Sequence, residues 1–315
     1  MERDTPYAGL DPDLILDAVA EAGFEPDGRM LALGSYENRV YQVGIEGAPA
    51  LVVKFYRPGR WSDAAIAEEH AFALELATAE LPVVAPLVIE GRSLFALDGF
   101  RYSLYPRQGG REPELESKQN LEWMGRLLAR IHGVGSRATF TQRGRIDVQT
   151  FLRDPSREVL DSTLLPTQLH SRYRKLVDGL AQRIDRRFAD CAPLRQIRLH
   201  GDCHRGNVLW TDAGPHFVDL DDARMGPAVQ DLWMLAPSAQ ALDSVLEGYA
   251  EFRDFDHGEL ALIEPLRIMR QVHWAGWVAR RWSDPAFPRA FAQVGEPRWW
   301  EEHCNDLAEA LNRLD

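Results

Sequence analysis

Two textures of apolar and polar residues follow one another along this chain. Leu14, Ile15, Ala18, Val19 and Phe24 recur near helical spacing and predict a helix over 11–24. Strand signals come next. Met30 to Leu33 and Val40 to Val43 predict strands joined by a polar turn, Gly34-Ser35-Tyr36-Glu37-Asn38-Arg39. Leu51 to Tyr56, rich in β-branched and aromatic residues, predicts a third strand that Pro58-Gly59 ends. Ser62 or Asp63 can cap a helix reaching about Ala79, with Ile66, Phe72, Ala73 and Leu76 on one face. Pro82 and Pro86 bracket Val83-Val84. Ser93 to Leu97 and Phe100 to Tyr105 predict two more strands, and Pro106 to Gly110 breaks the run.

Beyond that break the pattern turns helical. Asn120 to His132 carries Leu121, Met124, Leu127, Leu128 and Ile131, and 170–189, 239–253 and 261–282 also read as helices. One strand-rich island, Arg198 to Val218, interrupts them. The expectation is an α+β, two-lobe fold: a small β-rich N-terminal lobe over 1–104, a hinge over 105–110 and a larger helical lobe over 111–315. No internal repeat or low-complexity segment is visible.

Composition narrows the function classes. With 36 basic against 48 acidic residues and a formal charge of -12, the chain lacks the basic surplus of a nucleic-acid binder. Its longest uncharged run, the eleven residues Leu232 to Leu242, is shorter than the roughly 20 apolar residues of a spanning helix. Met1-Glu2-Arg3-Asp4 shows no basic-then-apolar export signal. A cytoplasmic protein, monomeric and without membrane insertion, is expected. Cys191, Cys203 and Cys304 are then reduced thiols, more at home in a core than as redox sensors.

The densest polar constellation is His200-Gly201-Asp202-Cys203-His204-Arg205-Gly206-Asn207, set between apolar Ile197, Leu199 and Val208-Leu209-Trp210. A second apolar run leads into Asp219-Leu220-Asp221-Asp222. Phosphoryl transfer needs one carboxylate to orient a hydroxyl and take its proton, and an amide oxygen and a second carboxylate to hold Mg²⁺ against the phosphates. Asp202, Asn207 and Asp219 supply that set. Their spacing matches the catalytic loop H-R-D-x-x-x-x-N and the later metal aspartate of protein kinases. Asx-turn chemistry at strand ends is the plain structural alternative.

His200-Gly201-Asp202-x-x-x-Gly206-Asn207 resembles the motif of the aminoglycoside phosphotransferase and choline kinase superfamily. Ser35 to Gln42, Val53 to Pro58, Glu68-Glu69-His70 and the block from His200 to Leu235 resemble, more narrowly, the stress response kinase A family of bacterial serine/threonine protein kinases. The likeness extends to about Trp300. It implies ATP and Mg as cofactors and a protein acceptor, with small-alcohol kinases and a catalytically dead nucleotide sensor as rivals.

On that resemblance Asp202 is the catalytic base, and Asp219 serves both catalysis and the metal beside Asn207. Asp221 or Asp222 is a further candidate metal contact. Lys54 would touch the phosphates and pair with a helix carboxylate. Glu69 lies within the apolar stripe and Glu68 less so, and a buried acid needs a partner, so Glu69 is preferred. Ser35 belongs to the phosphate turn and Tyr105 to the adenine-facing hinge. His200 orders its own loop and Asp231 accepts hydrogen bonds from it; His200 and His204 as a zinc pair lack further ligands at zinc-like spacing. Trp274, Trp277, Trp299 and Trp300 are expected in the core rather than at an acceptor surface. Gly201 and His204 stand where eukaryotic protein kinases carry an arginine and a lysine, and Asp219 to Asp231 is too short for a long activation loop.

Overall fold

The computed structural model describes residues 6–314; the Met1 to Asp4 reading lies outside them. Helix α1 (Pro12–Glu21) begins where the Asp11 carboxylate accepts from the Leu14 amide, with Pro12 in its first turn. It stops before Phe24, short of its expected end. Strands β1 (Pro26–Leu33), β2 (Arg39–Ile45) and β3 (Ala48–Phe55) follow, then helix α2 (Asp63–Thr78), then β4 (Phe95–Leu97) and β5 (Phe100–Pro106). Ser62, not Asp63, caps α2 by accepting from the Ala65 amide.

The five strands form one antiparallel sheet in the order β1-β2-β3-β5-β4. Helix α1 covers one face through Ile15, Ala18 and Val19, which cluster with Val43, Val53, Phe55 and Leu104. Lys54 therefore lies on the central strand, opposite Val40 on one side and Ser103 on the other. A snorkelling edge lysine is ruled out: its side chain is buried.

Helices then dominate: α3 (Lys118–Gly135), α4 (Asp154–Asp161) and α5 (His170–Asp190). The island comprises β6 (Ile197–Leu199), β7 (Val208–Thr211), β8 (Gly214–Phe217) and β9 (Arg224–Gly226). After it come α6 (Val229–Leu235), α7 (Ala239–Ala250), α8 (Ile263–Arg280), α9 (Ala286–Ala290) and α10 (Pro297–Arg313). Strands β7 and β8 make a hairpin, whereas β6 pairs with β9. The loop of residues 200–207 thus runs from one two-stranded ladder to the other, and the Asp219 segment runs back from β8 to β9. The predicted helix over 261–282 is present as α8, with a 3₁₀ segment His257–Leu262 leading into it.

Two helical cores hold this frame. One joins Phe72 and Leu76 of α2 to Met124 and Leu128 of α3, to Cys203, Val208 and Phe217 of the island, and to Tyr249 of α7. The other joins α4, α5, α8 and α10, with Trp300 and Cys304 fully buried in it. Cys191 is half-buried. Among the described residues no helix is long and apolar enough to cross a membrane.

Candidate active site

The catalytic loop is fixed by Asp231, at the start of α6. Its carboxylate accepts from the backbone amides of His200 and Gly201, each at 2.9 Å. The fully buried His132 faces the same carboxylate at 3.2 Å and Tyr249 at 3.0 Å. His200 meets the Val218 carbonyl at 2.9 Å, tying the loop to the strand that delivers Asp219. His200 and His204 thus serve different partners, since His204 Nδ1 accepts from the Gly206 amide at 3.0 Å.

Gly201 has φ +84°, and a Cβ there would lie 2.2 Å from the Asp222 carbonyl oxygen. That position admits glycine alone, which is why the kinase arginine is missing.

Asp202 projects from this loop. Its Oδ1 is ion-paired with Arg270 of α8, and its Oδ2 lies 3.4 Å from His204 Nε2. Burial pushes the Asp202 carboxyl up, but the His204 contact and the Arg270 charge outweigh it and hold the group below its ordinary value. Asn207 Nδ2 donates to the Asp202 carbonyl at 2.9 Å. Its carbonyl oxygen is then the end of the amide left for a cation.

Asp219 has left-handed backbone, φ 59° and ψ 66°, which costs a non-glycine residue energy and turns its half-exposed carboxylate into the cleft. Lys54 Nζ lies 2.9 Å from Asp219 Oδ1 and 3.3 Å from Asp221 Oδ1. Burial alone would lower the Lys54 ammonium, but Asp219 and Asp221 raise it well above its ordinary value, so it stays charged. Asp221 is buried and accepts from Asn38 Nδ2 at 3.1 Å and from Arg60. Burial opposes its charge, yet Arg60 and Lys54 bring its carboxyl down to about 2. Asp222 pairs with Arg60 at 2.7 Å and Arg224 at 3.5 Å.

The expected Lys54–Glu69 pair is not what forms: Lys54 goes to the two aspartates. Glu69 is buried, and its Oε2 has no hydrogen-bond partner. Burial raises its carboxyl to about 7 against the lowering charge of Lys54. Glu68 is engaged elsewhere, accepting from the Thr141 amide and hydroxyl and the Gln142 amide at 2.6–2.8 Å. The choice between the two acids is therefore settled in favour of Glu69 as the inward one.

Ser35, Asp202, Asn207 and Asp219 line one cleft of about 610 Å³. Ser35 Oγ accepts from the Asn38 amide at 3.3 Å and shapes the glycine turn. Tyr105 does not reach the cleft. Its hydroxyl meets that of Tyr56 at 3.1 Å, which in turn meets His70 at 2.7 Å. Trp274 and Trp277 pack against the core of α4, α5, α8 and α10 and also line the cleft, and Trp300 alone of the four tryptophans is fully buried.

Four residues of this site escaped the sequence reading: Asn38, Arg60, Arg224 and Arg270. Arg267, Arg270 and Trp274 repeat at i, i+3 and i+7 on α8, outside its apolar stripe. That spacing was the available signal. Nothing local marked Asn38, whose partner is 183 residues away.

Residues 30–263 match the model of the phosphotransferase enzyme family. Stress response kinase A of Escherichia coli K12 is 44% identical over 310 residues, covering 96% of this chain and 94% of that protein. The chain belongs to the phosphotransferase enzyme family. It is an ATP-dependent kinase. Another relative of this phosphotransferase, named serine/threonine protein kinase RdoA, from Salmonella typhimurium LT2, is 44% identical over 315 residues, covering 98% of this chain and 94% of that one. The fold is shared with a microcompartment-associated aminopropanol kinase, at a TM-score of 0.73 and 18% identity over 96% of this chain and 98% of that one. The amicoumacin kinase hAmiN, solved with AMP-PNP, Ca²⁺ and its antibiotic, gives a TM-score of 0.70 and 17% identity over 94% of both chains.

Proposed function

We propose that this phosphotransferase moves the γ-phosphoryl group of Mg-ATP onto a serine or threonine hydroxyl of a protein, as a cytoplasmic enzyme of stress response. The observation that carries the transfer chemistry is the convergence of Asp202, Asn207, Asp219 and the glycine turn on one cleft, with Lys54 held against Asp219. The protein acceptor and the stress role rest on the likeness to the Escherichia coli and Salmonella kinases.

Asp202 orients the acceptor hydroxyl. As the hydroxyl oxygen attacks the γ-phosphorus, the bond to the β–γ bridging oxygen breaks, ADP keeps the electron pair, and the hydroxyl proton passes to Asp202. Asn207 Oδ1 and Asp219 are hard oxygen donors suited to Mg²⁺, which needs few protein ligands when phosphates supply the rest. Bound there, the cation would neutralise charge on the phosphates. Lys54 steers the α- and β-phosphates, and Glu69 is the buried acid that would pair with it were Asp219 to hold the cation. Ser35 belongs to the turn over the phosphates. Tyr105 contributes only backbone, at the proposed hinge of residues 105–110 between a lobe of 1–104 and one of 111–315.

The test is phosphotransfer from Mg-ATP by purified protein, with protein acceptors and pooled alcohols and aminoglycosides side by side. Label on serine or threonine that disappears in Asp202→Ala is expected. Label confined to small molecules would overturn the protein-acceptor reading. Unchanged turnover in Asp202→Ala would overturn the assigned base.

A further inference from the structure

Helix α8 runs past Asp202 and, with Arg281 just after it, lines the cleft with Arg270, His273, Trp274, Trp277 and Arg280. Not one of these is an acid. The cleft's carboxylates lie elsewhere and are engaged: Asp219 and Asp221 with Lys54, Asp222 with Arg60, and Glu37 with Arg57 and Arg281. A cationic alcohol entering beside Asp202 would thus meet guanidinium and indole groups, with no free carboxylate on this wall.

The same helix face continues outward. A side groove of about 480 Å³ shares Arg270 and Trp274 with the cleft and adds Arg267, Gln271, Trp233 and Trp299. Arg267 is exposed, lies 5.4 Å over the Trp233 ring, and has no ion-pair partner among the described residues. The far wall, on α10, carries Glu302 and Asp306. Glu302 is already held by Arg298 at 2.8 Å.

The strip from Arg267 to Arg281 is about four helical turns, or roughly 21 Å, at 1.5 Å per residue. An extended peptide rises ~3.3 Å per residue, so about six residues would span the strip. That is far longer than one small alcohol needs, and Arg270, near one end of the strip, sets that end beside Asp202.

We propose that this strip of α8 binds the acceptor as an extended peptide, and that it selects serine or threonine flanked by aspartate or glutamate. The guanidinium of Arg267 pairs with an acidic side chain of the acceptor, and Trp274 and Trp299 pack against the apolar side chains beside it, while Arg270 stays on Asp202 and Arg280 on Glu158. The inference rests on the protein-kinase reading above and gives that reading a substrate class.

The experiment compares serine peptides of one length with acidic, neutral or basic flanks, on wild-type enzyme and on Arg267→Glu. Arg267 is exposed, so the charge reversal leaves the core intact. Wild type is expected to favour the acidic over the basic peptide in kcat/KM by about fivefold, as expected of one partly exposed charge pair. Arg267→Glu should narrow that ratio about fivefold, chiefly through KM for the acidic peptide, while gaining on the basic one. The ratio is taken within each enzyme, so a general loss of activity does not mimic it. Peptide phosphorylation with no acidic preference, or an unchanged ratio in Arg267→Glu, would overturn this proposal and leave the protein-kinase reading standing. Transfer to small alcohols without any transfer to peptides would overturn both.

Discussion

Arg270 reaches Asp202 from α8, 68 residues along the chain, and meets it where the loop itself offers only His204. Protein kinases commonly place a lysine in the loop at that point; here a guanidinium from another element stands beside the same carboxylate. It keeps Asp202 anionic and fixes its orientation, so it acts through Asp202 as a positioning residue. Removing it leaves burial less opposed, and the Asp202 carboxyl moves up. Arg270→Ala should therefore shift the acidic limb of the kcat–pH profile to higher pH, and Arg270→Lys should restore part of it. The loss in kcat should be smaller than the ~10²–10⁴-fold expected for losing the base itself. An unmoved acidic limb would refute the role. Gly201 gives a second test at this scale. Its φ and the 2.2 Å approach to the Asp222 carbonyl predict that Gly201→Ala costs about 2–4 kcal/mol in denaturant unfolding and displaces Asp202. The sequence made Asp202, Asn207 and Asp219 legible because their chemistry is local in spacing. Arg270 stayed hidden because what makes it functional is a contact across the fold.

Among the elements, α2 shows both what periodicity can say and where it stops. The spacing of Ile66, Phe72, Ala73 and Leu76 correctly turned Glu69 inward and Glu68 aside. It could not say that Lys54 would go to Asp219, 165 residues away. The β6–β9 ladder was illegible for a related reason: each strand has three residues, too few to show a period. Helix α10 is different, since Trp300, His303, Cys304 and Leu307 carry a helical stripe that the assignments above left unused. The glycine turn shows a tertiary bond that no pattern encodes. Glu37 pairs with Arg281 at 2.8 Å and Arg57 at 3.1 Å, and Arg57 pairs with Asp284 at 2.6 Å. Tyr36 packs on Phe291 with ring centroids 5.0 Å apart. These contacts hold the turn over the cleft from the far side. Asp284→Ala takes from the buried Arg57 one of its two carboxylate partners among the described residues and should cost roughly 1–3 kcal/mol of stability. Replacing both partners, Arg57→Met with Asp284→Leu, should recover much of it. Equal losses in the single and double variants would show that the pair is not the cause.

For the whole molecule, the same buried charges set how stability follows pH. Glu69 and Glu259 are each raised to about 7, chiefly by burial. Their folded pKa exceeds the unfolded one, so the stability they add is full below about 4.5 and is lost as pH rises through about 7. His70 and His273 are pushed down to about 3 and His303 to about 4, again chiefly by burial. Each is neutral when folded and protonated when unfolded at mildly acidic pH, so stability falls as pH drops from 6.5 towards those values. Asp221, brought down to about 2 by Arg60 and Lys54 against burial, adds a further loss as pH falls below its ordinary 3.8. Between about 4.5 and 6.5 three histidines thus raise stability with pH and two glutamates lower it. Above 6.5 only the glutamate slope remains, and it fades past 7. Stability should therefore peak near pH 6.5, fall gently towards about 4.5, where three histidines outweigh two glutamates by one, and fall most steeply below that. Denaturant unfolding at fixed ionic strength from pH 4 to 9 measures the curve. Glu69→Gln removes one of the two falling contributions, so its stability should gain on wild type as pH rises from 5 to 8. Parallel curves for the two proteins would mean that Glu69 is already ionised across this range, and that Lys54 serves it more strongly than the 2.9 Å contact with Asp219 implies.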